Sequence, residues 1–283
     1  MKVLITGDCG FIGSETKKEL EKNGDMVVGY DIMNGFDIRD SHQLEEVLER
    51  EKVDRVLHLA AIARFSDADA NPKLAFETNV MGTRNVVAVC QKYHLPLVFS
   101  STGSAIMPLD NYEPPYTEQI PARGNSIYGC TKAVGEYIVR EHTPHIVLRY
   151  AHIYGKEKRG HGLIGGFIDR ISRGMSPVLY GGRQTNDFVS VLDIVSANIL
   201  ALRASWDKWN QIYNVGTGEE LSAEDAGKLI CKILNYTGEI DIVSRRTVDP
   251  SHFVFDISKT KSMLGYSPKY NFEDGLKEMF KND

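Results

Sequence analysis

The stretch KVLITGDCGFIG, Lys2 to Gly13, constrains the fold more than any other part of the chain. Val3, Leu4 and Ile5 make a short continuous apolar run, the pattern of a strand buried on both faces of a parallel sheet. Gly7, Gly10 and Gly13 follow at intervals of three, and FIGSETKKELEKNG continues as a helical pattern that opens on Phe11 and Ile12. In that order each glycine has a task. Gly7 permits a tight turn, Gly10 lets backbone approach a pyrophosphate, and Gly13 lets the helix pack closely on the strand. The helix N-terminus, with its orphan N–H groups and positive dipole end, then faces the phosphates. The spacing is GxxGxxG, not GxGxxG, and three glycines in a chain holding 25 carry little weight alone. The strand before, the helix after and an acid downstream together predict a dinucleotide site.

That acid is Asp31. It closes a second strand pattern, Met26 to Tyr30, and lies 18 residues beyond Gly13, near the ~20 expected of a ribose-binding carboxylate. A carboxylate accepts from adenosine ribose hydroxyls and repels a 2′-phosphate, which favours NAD over NADP. The alternative is a turn aspartate ahead of Asn34-Gly35.

Further on, Asp40 and Gln43 form a capping-box pattern for the helix SHQLEEVLEREK. DRVLHL (54–59) reads as strand three, and Leu59, Ala60 and Ala61 provide small residues where backbone would run past a cofactor. His58 is read as structural. Residues 73–93, with Asn79 and Gly82-Thr83, read as one long helix, and 95–101 as strand four. Alternation of this kind means a parallel sheet covered on both faces and doubly wound. Gly7, Asp31, His58 and Ser100 to Thr102 all fall at carboxyl ends of strands, where such sheets bind ligands. Residues 103–126 hold four of the ten prolines and read as a functional loop. A helix at 127–140 and a strand at 145–150 follow. Beyond Tyr150 the regularity loosens into a glycine-rich stretch and shorter elements. The expected division is a dinucleotide-binding core at 1–155 and a mixed region at 156–283 that completes the core and forms a small substrate lobe.

Composition narrows the function classes. The chain has 283 residues, is 42% hydrophobic and 25% charged, and carries a net charge of −5. No basic surplus invites nucleic acid or an anionic membrane surface. No apolar run reaches the ~18 residues of a transmembrane helix, and no signal peptide is expected ahead of the first strand. Cys9, Cys90, Cys130 and Cys231 lie far apart without a CxxC pair, so reduced thiols in the cytoplasm are expected, with no metal site.

Tyr128 and Lys132 stand four apart and share one helical face. In isolation YxxxK is an ordinary surface pair. Behind a Ser-Ser-Thr strand end, in a chain with a dinucleotide fingerprint, it is a candidate general base. An ammonium 4–6 Å from the phenol, at an effective dielectric of about 20, contributes roughly 3–4 kcal/mol. That corresponds to about 2–3 pKa units, enough to bring a tyrosine toward neutrality. Thr102 is placed to hydrogen-bond the reacting oxygen.

These features resemble the extended short-chain dehydrogenase/reductase family, in its NAD-dependent nucleotide-sugar epimerase/dehydratase branch. The resemblance spans nearly the whole chain. It rests on TGDCGFIG (6–13), HLAA (58–61), NVMGT (79–83), SST (100–102), YGCTK (128–132), LRYAHIYG (148–155), NDFVSVLDI (186–194), YNVGTG (213–218) and DISKTKSMLGYSP (256–268). It implies Tyr128 as acid and base on a sugar hydroxyl, Lys132 as its tuner and nicotinamide-ribose ligand, and Thr102 as the catalytic hydroxyl. It also implies Asp37 and Ile38 beside adenine, Asn79 and Ser100 in the cofactor site, Arg246 on the substrate diphosphate, and a homodimer built through the helices at 73–93 and 126–142. Dehydratases of this family carry Asp-Glu after the catalytic threonine, whereas Gly103-Ser104 follow Thr102. His152 replaces a usual substrate-binding asparagine, and Asn186 replaces a diphosphate arginine for which Arg183 or Arg245 is a substitute. The implied activity is epimerisation of a nucleotide sugar at C4 through a transient ketone. The alternatives are a nucleotide 4-keto-sugar reductase, a dehydratase with a displaced acid, and a non-catalytic dinucleotide sensor.

Overall fold

Val3 and Ile5 point to one face of the first strand and Leu4 to the other, and both faces are fully buried. The computed structural model describes residues 1–107, 112–142, 144–156, 162–244 and 251–281. The first half runs β1 (Lys2–Thr6), α1 (Phe11–Lys22), β2 (Met26–Tyr30), α2 (Ser41–Glu51), β3 (Arg55–His58), α3 (Phe65–Ala70), α4 (Pro72–Phe76), a π-helical turn (Glu77–Gly82), α5 (Thr83–Lys92), β4 (Leu97–Thr102), α6 (Ile127–Arg140) and β5 (His145–Tyr150). The second half runs β6 (His152–Tyr154), α7 (Gly162–Ser172), β7 (Val178–Tyr180), β8 (Thr185–Asn186), β9 (Phe188–Ser190), α8 (Val191–Leu202), β10 (Gln211–Val215), β11 (Leu221–Ser222), α9 (Ala223–Ile233), β12 (Asp241–Val243), α10 (Ser258–Leu264) and α11 (Phe272–Phe280).

Six strands form one parallel sheet in the order β10-β5-β4-β3-β1-β2. The chain moves outward from β1 to β2, then crosses to the other side of β1, which makes the β1–β3 boundary the switch point of a doubly wound α/β fold. Register aligns the strand ends: Thr6 lies opposite Tyr30 and His58, and Thr102 opposite Tyr150. Leu20 of α1 and Ile194 of α8 pack on one face of the sheet. Leu44 and Leu48 of α2, with Val86 and Val89 of α5, pack on the other. Each such side chain contributes roughly 1.5–3 kcal/mol by leaving water. A separate cluster, including Phe167, Ile230 and Leu276, joins α7, α9 and α11 into a lobe beside the carboxyl edge.

Three local readings change. The helix expected at 73–93 is α4 and α5 joined by the π turn, with Thr83 Oγ1 donating to the Asn79 carbonyl at 2.6 Å. The short helices α3 and α10 lack an apolar stripe long enough to register in sequence; among α3 residues only Ala68 is buried. Asp40 does cap α2, accepting from the Gln43 amide at 3.0 Å. Gln43 does not return the bond. Its side chain instead accepts from the Asp37 amide and the Tyr30 hydroxyl and donates to the Gly35 carbonyl. Among the described residues, no helix is long and apolar enough to cross a membrane.

Candidate active site

A cleft of about 760 Å³ opens along the carboxyl ends of the sheet. Its phosphate end is the turn after β1. Gly7 has a left-handed φ of 78°, and a Cβ there would stand 2.8 Å from the Ala60 amide nitrogen. A Cβ on Gly13 would fall 2.1 Å from the Gly7 carbonyl oxygen. Both glycines are therefore demanded by close backbone approach. Gly10 is the N-cap of α1, no side chain caps the helix, and its first turn holds no acid. This is a cradle for an anion at a helix N-terminus.

The predicted residues converge on this cleft. Gly7, Gly10, Phe11, Ile12, Gly13, Asp31, Asp37, Ile38, Leu59, Ala60, Ala61 and Ser100 line one half; Thr102, Tyr128, Lys132 and His152 line it too. Asp31 has the geometry of the turn reading and also lines the cleft. One carboxylate oxygen accepts from Met33 N at 2.9 Å, as a turn aspartate would, and the other takes the Cys9 amide at 3.1 Å on the cleft wall. Asp8, Cys9 and Asp31 bring ligand-type atoms within 4.8 Å of one another. Lys17 already pairs with Asp8 at 2.9 Å, and the two amides occupy Asp31.

Three predicted residues lie elsewhere. Asn79 is buried behind the wall, where it accepts from Ile62 N at 2.7 Å and donates to Thr131 Oγ1 at 2.9 Å. It ties the loop after β3 to α6. Arg183 is exposed and Asn186 sits in β8; neither lines the cleft. Arg246, with Arg245, lies outside the described residues, as do Lys158 and Arg159 of the glycine-rich stretch.

At the reacting end, Ser126 caps α6 by accepting from Gly129 N at 3.0 Å, which sets the helix phase that presents Tyr128 and Lys132. Tyr128 is half-buried and hydrogen-bonds Thr102. Lys132 is 4% exposed, with Nζ 4.2 Å from the centre of the Phe99 ring. Burial pushes the phenol up to about 12, against the pull of Thr102, and pushes the ammonium down to about 7, against the charge of Glu136. The sequence-based expectation of a phenol near neutrality is thus corrected for the protein alone. Its partner cation is itself desolvated, and desolvation of the phenolate outweighs the hydrogen bond from Thr102. His58 is structural as expected: it sits between Thr6 Oγ1 (2.7 Å) and Thr83 Oγ1 (2.9 Å) and is pushed down to about 3, first by burial and then by Lys132.

Supporting groups that sequence patterns did not reveal come from distant segments. Arg149, 1% exposed, forks onto Glu136 at 2.9 and 2.8 Å and donates to the Ile120 carbonyl, fastening the long loop beneath α6. Asp187 accepts from Thr217 N and Oγ1 and from Gly218 N, which pins the loop after β10 against the lobe. Burial pushes its carboxyl up, opposed by those bonds. Only the NDF and VGTG motifs hinted at that pairing.

Fold and cleft together have the form of a dinucleotide-dependent enzyme, with a tyrosine and a lysine lining the far end of the cleft. The chain belongs to the NAD dependent epimerase/dehydratase family, whose model matches residues 3–216. It is 33% identical to a Methanocaldococcus jannaschii protein provisionally named UDP-glucose 4-epimerase, over 98% of this chain and 96% of that one. The structure of UDP-glucose 4-epimerase from Thermotoga maritima, solved with UDP-glucose, superposes with a TM-score of 0.91 at 30% identity and covers 99% and 97% of the two chains. The Thermus thermophilus UDP-glucose 4-epimerase, solved with NAD, gives 0.85 at 27% identity, with coverage of 99% and 97%.

Proposed function

We propose that this protein is an NAD-dependent 4-epimerase of a nucleotide-activated sugar, with a uridine diphosphate sugar as the favoured substrate. The observation that carries the reading is that Thr102, Tyr128 and Lys132 share one cleft with the glycine cradle and Asp31. The cradle and the uncapped start of α1 fit a pyrophosphate, and Asp31 fits an adenosine ribose. Bound NAD supplies hydride acceptance and return at the sugar carbon, and its cationic ring favours the phenolate. Tyr128 takes the proton of the sugar hydroxyl and later gives it back to the inverted carbon's oxygen. Thr102 holds that oxygen by hydrogen bonding. Lys132 supplies positive charge beside the phenolate.

Elimination of water would need an acid–base pair next to Thr102. Positions 103 and 104 are glycine and serine, and a Cβ at Gly103 would meet the Phe253 and Phe255 rings at 2.5 and 2.6 Å. This supports epimerisation over dehydration. The lobe of α7, α9 and α11 is read as the nucleotide-holding side, with His152 at its boundary. Phe76, Met81, Val134 and Tyr137 are exposed along the helices at 72–92 and 127–140, which supports a homodimer through that face. The four cysteines are free thiols, in keeping with a cytoplasmic enzyme.

The test is incubation with NAD and no NADH, reading product mass and proton NMR from UDP-glucose and a wider nucleotide-sugar panel. An unchanged mass with inverted C4 is expected. Tyr128→Phe lowers turnover by about 10²–10⁴-fold, the usual worth of an acid–base group, while NAD still binds. Retained turnover in that variant sinks the assignment.

A further inference from the structure

Phe65 opens α3, lines the cleft and is 45% exposed. Its ring meets the Tyr128 ring nearly at right angles, with centroids 5.5 Å apart and planes at 70°. In that geometry the positive edge of one aromatic ring rests on the negative face of the other. Local sequence does little to hold α3. The helix is six residues long, no side chain caps its start, and only Ala68 is buried. It stays in place by packing on α4 and α6.

Tyr128 has two other restraints. Its hydroxyl hydrogen-bonds Thr102 of β4, and its backbone belongs to α6, phased by the Ser126 cap. Neither restrains the face of the ring. Phe65 does, and from a different element. A ring that touches the phenol on one side and water on the other also keeps water off that part of the phenol. Among the charged and titratable groups lining the cleft are Arg64 and Asp67 from α3 and its cap, Lys132 from α6 and His152 from β6. None of them is a cause of the displaced Tyr128 titration, which burial raises and the Thr102 bond lowers. Burial is therefore the quantity that a covering side chain controls.

Resting on the epimerase reading, we infer that Phe65 is a positioning residue for Tyr128: its ring fixes the phenol for the sugar hydroxyl and shields it from water. The test has two readouts, and melting curves check that each variant is folded. The first uses NAD-free protein carrying tyrosine labelled with carbon-13 at Cζ. The NMR signal missing from Tyr128→Phe is that of Tyr128, and its titration is followed in wild type, Phe65→Ala and Phe65→Tyr. In Phe65→Ala it titrates about one pH unit lower, because part of the burial that raises it is gone. Phe65→Tyr restores the wild-type curve. The second readout is turnover of UDP-glucose with NAD. In Phe65→Ala kcat falls about ten- to a hundredfold, the cost of a misplaced reacting group, while KM barely moves; Phe65→Tyr recovers kcat. An unmoved Tyr128 curve, an unchanged kcat, a loss confined to KM, or a Phe65→Tyr variant no better than Phe65→Ala each overturns the inference. A Tyr128 curve that shifts with Phe65, in a wild-type protein that leaves every nucleotide sugar unchanged, upholds the hold of Phe65 on the phenol and refutes the epimerase reading.

Discussion

Removing the Glu136 carboxylate destabilises the protein and weakens the proposed catalytic pair together. Arg149 is 1% exposed and Glu136 2%, joined by two bonds at 2.9 and 2.8 Å. Glu136→Leu leaves the guanidinium buried with only the carbonyls of Glu118 and Ile120 as acceptors. Orphaning one partner of a buried pair costs roughly 3–5 kcal/mol. At about 2–4 °C per kcal/mol for chains approaching this size, the melting temperature falls by roughly 6–20 °C. The charge of Glu136 also raises Lys132 against its burial. Without it the ammonium titrates lower still, so the high-pH limb of activity moves to lower pH. The double variant Glu136→Leu/Arg149→Met buries no charge and recovers most of the lost stability. Urea denaturation and a pH–rate profile read both effects. A single variant within about 1 kcal/mol of wild type, or a double variant less stable than the single, would refute the reasoning.

Two further outcomes are expected. Gly13→Ala puts a methyl 2.1 Å from the Gly7 carbonyl oxygen, and because both neighbours are backbone, α1 must shift away from the turn. NAD affinity falls at least about tenfold and stability drops by about 1–3 kcal/mol, read by fluorescence titration and melting; unchanged NAD binding would count against the cradle. Lys132 binds its proton up to its usual 10.5 when unfolded but only to about 7 when folded, so the cofactor-free protein gains stability as pH rises between those values. Lys132→Met removes that dependence and stabilises by a few kcal/mol at pH about 6.5, with much less gain near pH 10. An equal gain at both pH values, in urea denaturation, contradicts the assigned burial of the charge.

Legibility in the sequence followed the range of the interaction. The glycine turn, the start of α1, Asp31 at the end of β2 and the pairing of Tyr128 with Lys132 are encoded within a few residues by spacing and periodicity, and each reaches the cleft as read. The doubly wound sheet follows from the alternation of its strands and helices. The rest depends on partners far apart in the chain. Gln43 looks like half of a capping box and instead holds the loop from Gly35 to Asp37. Asn79 belongs to a cofactor motif and instead laces Ile62 to Thr131. Phe65 carries no motif, and its contact with the Tyr128 ring exists only because α3 packs on α6. The phenol shows the limit most directly. Four-residue spacing tells that an ammonium shares its face, but how far each group is desolvated is set by the packing of strands and loops around them, and burial decides the sign of the shift.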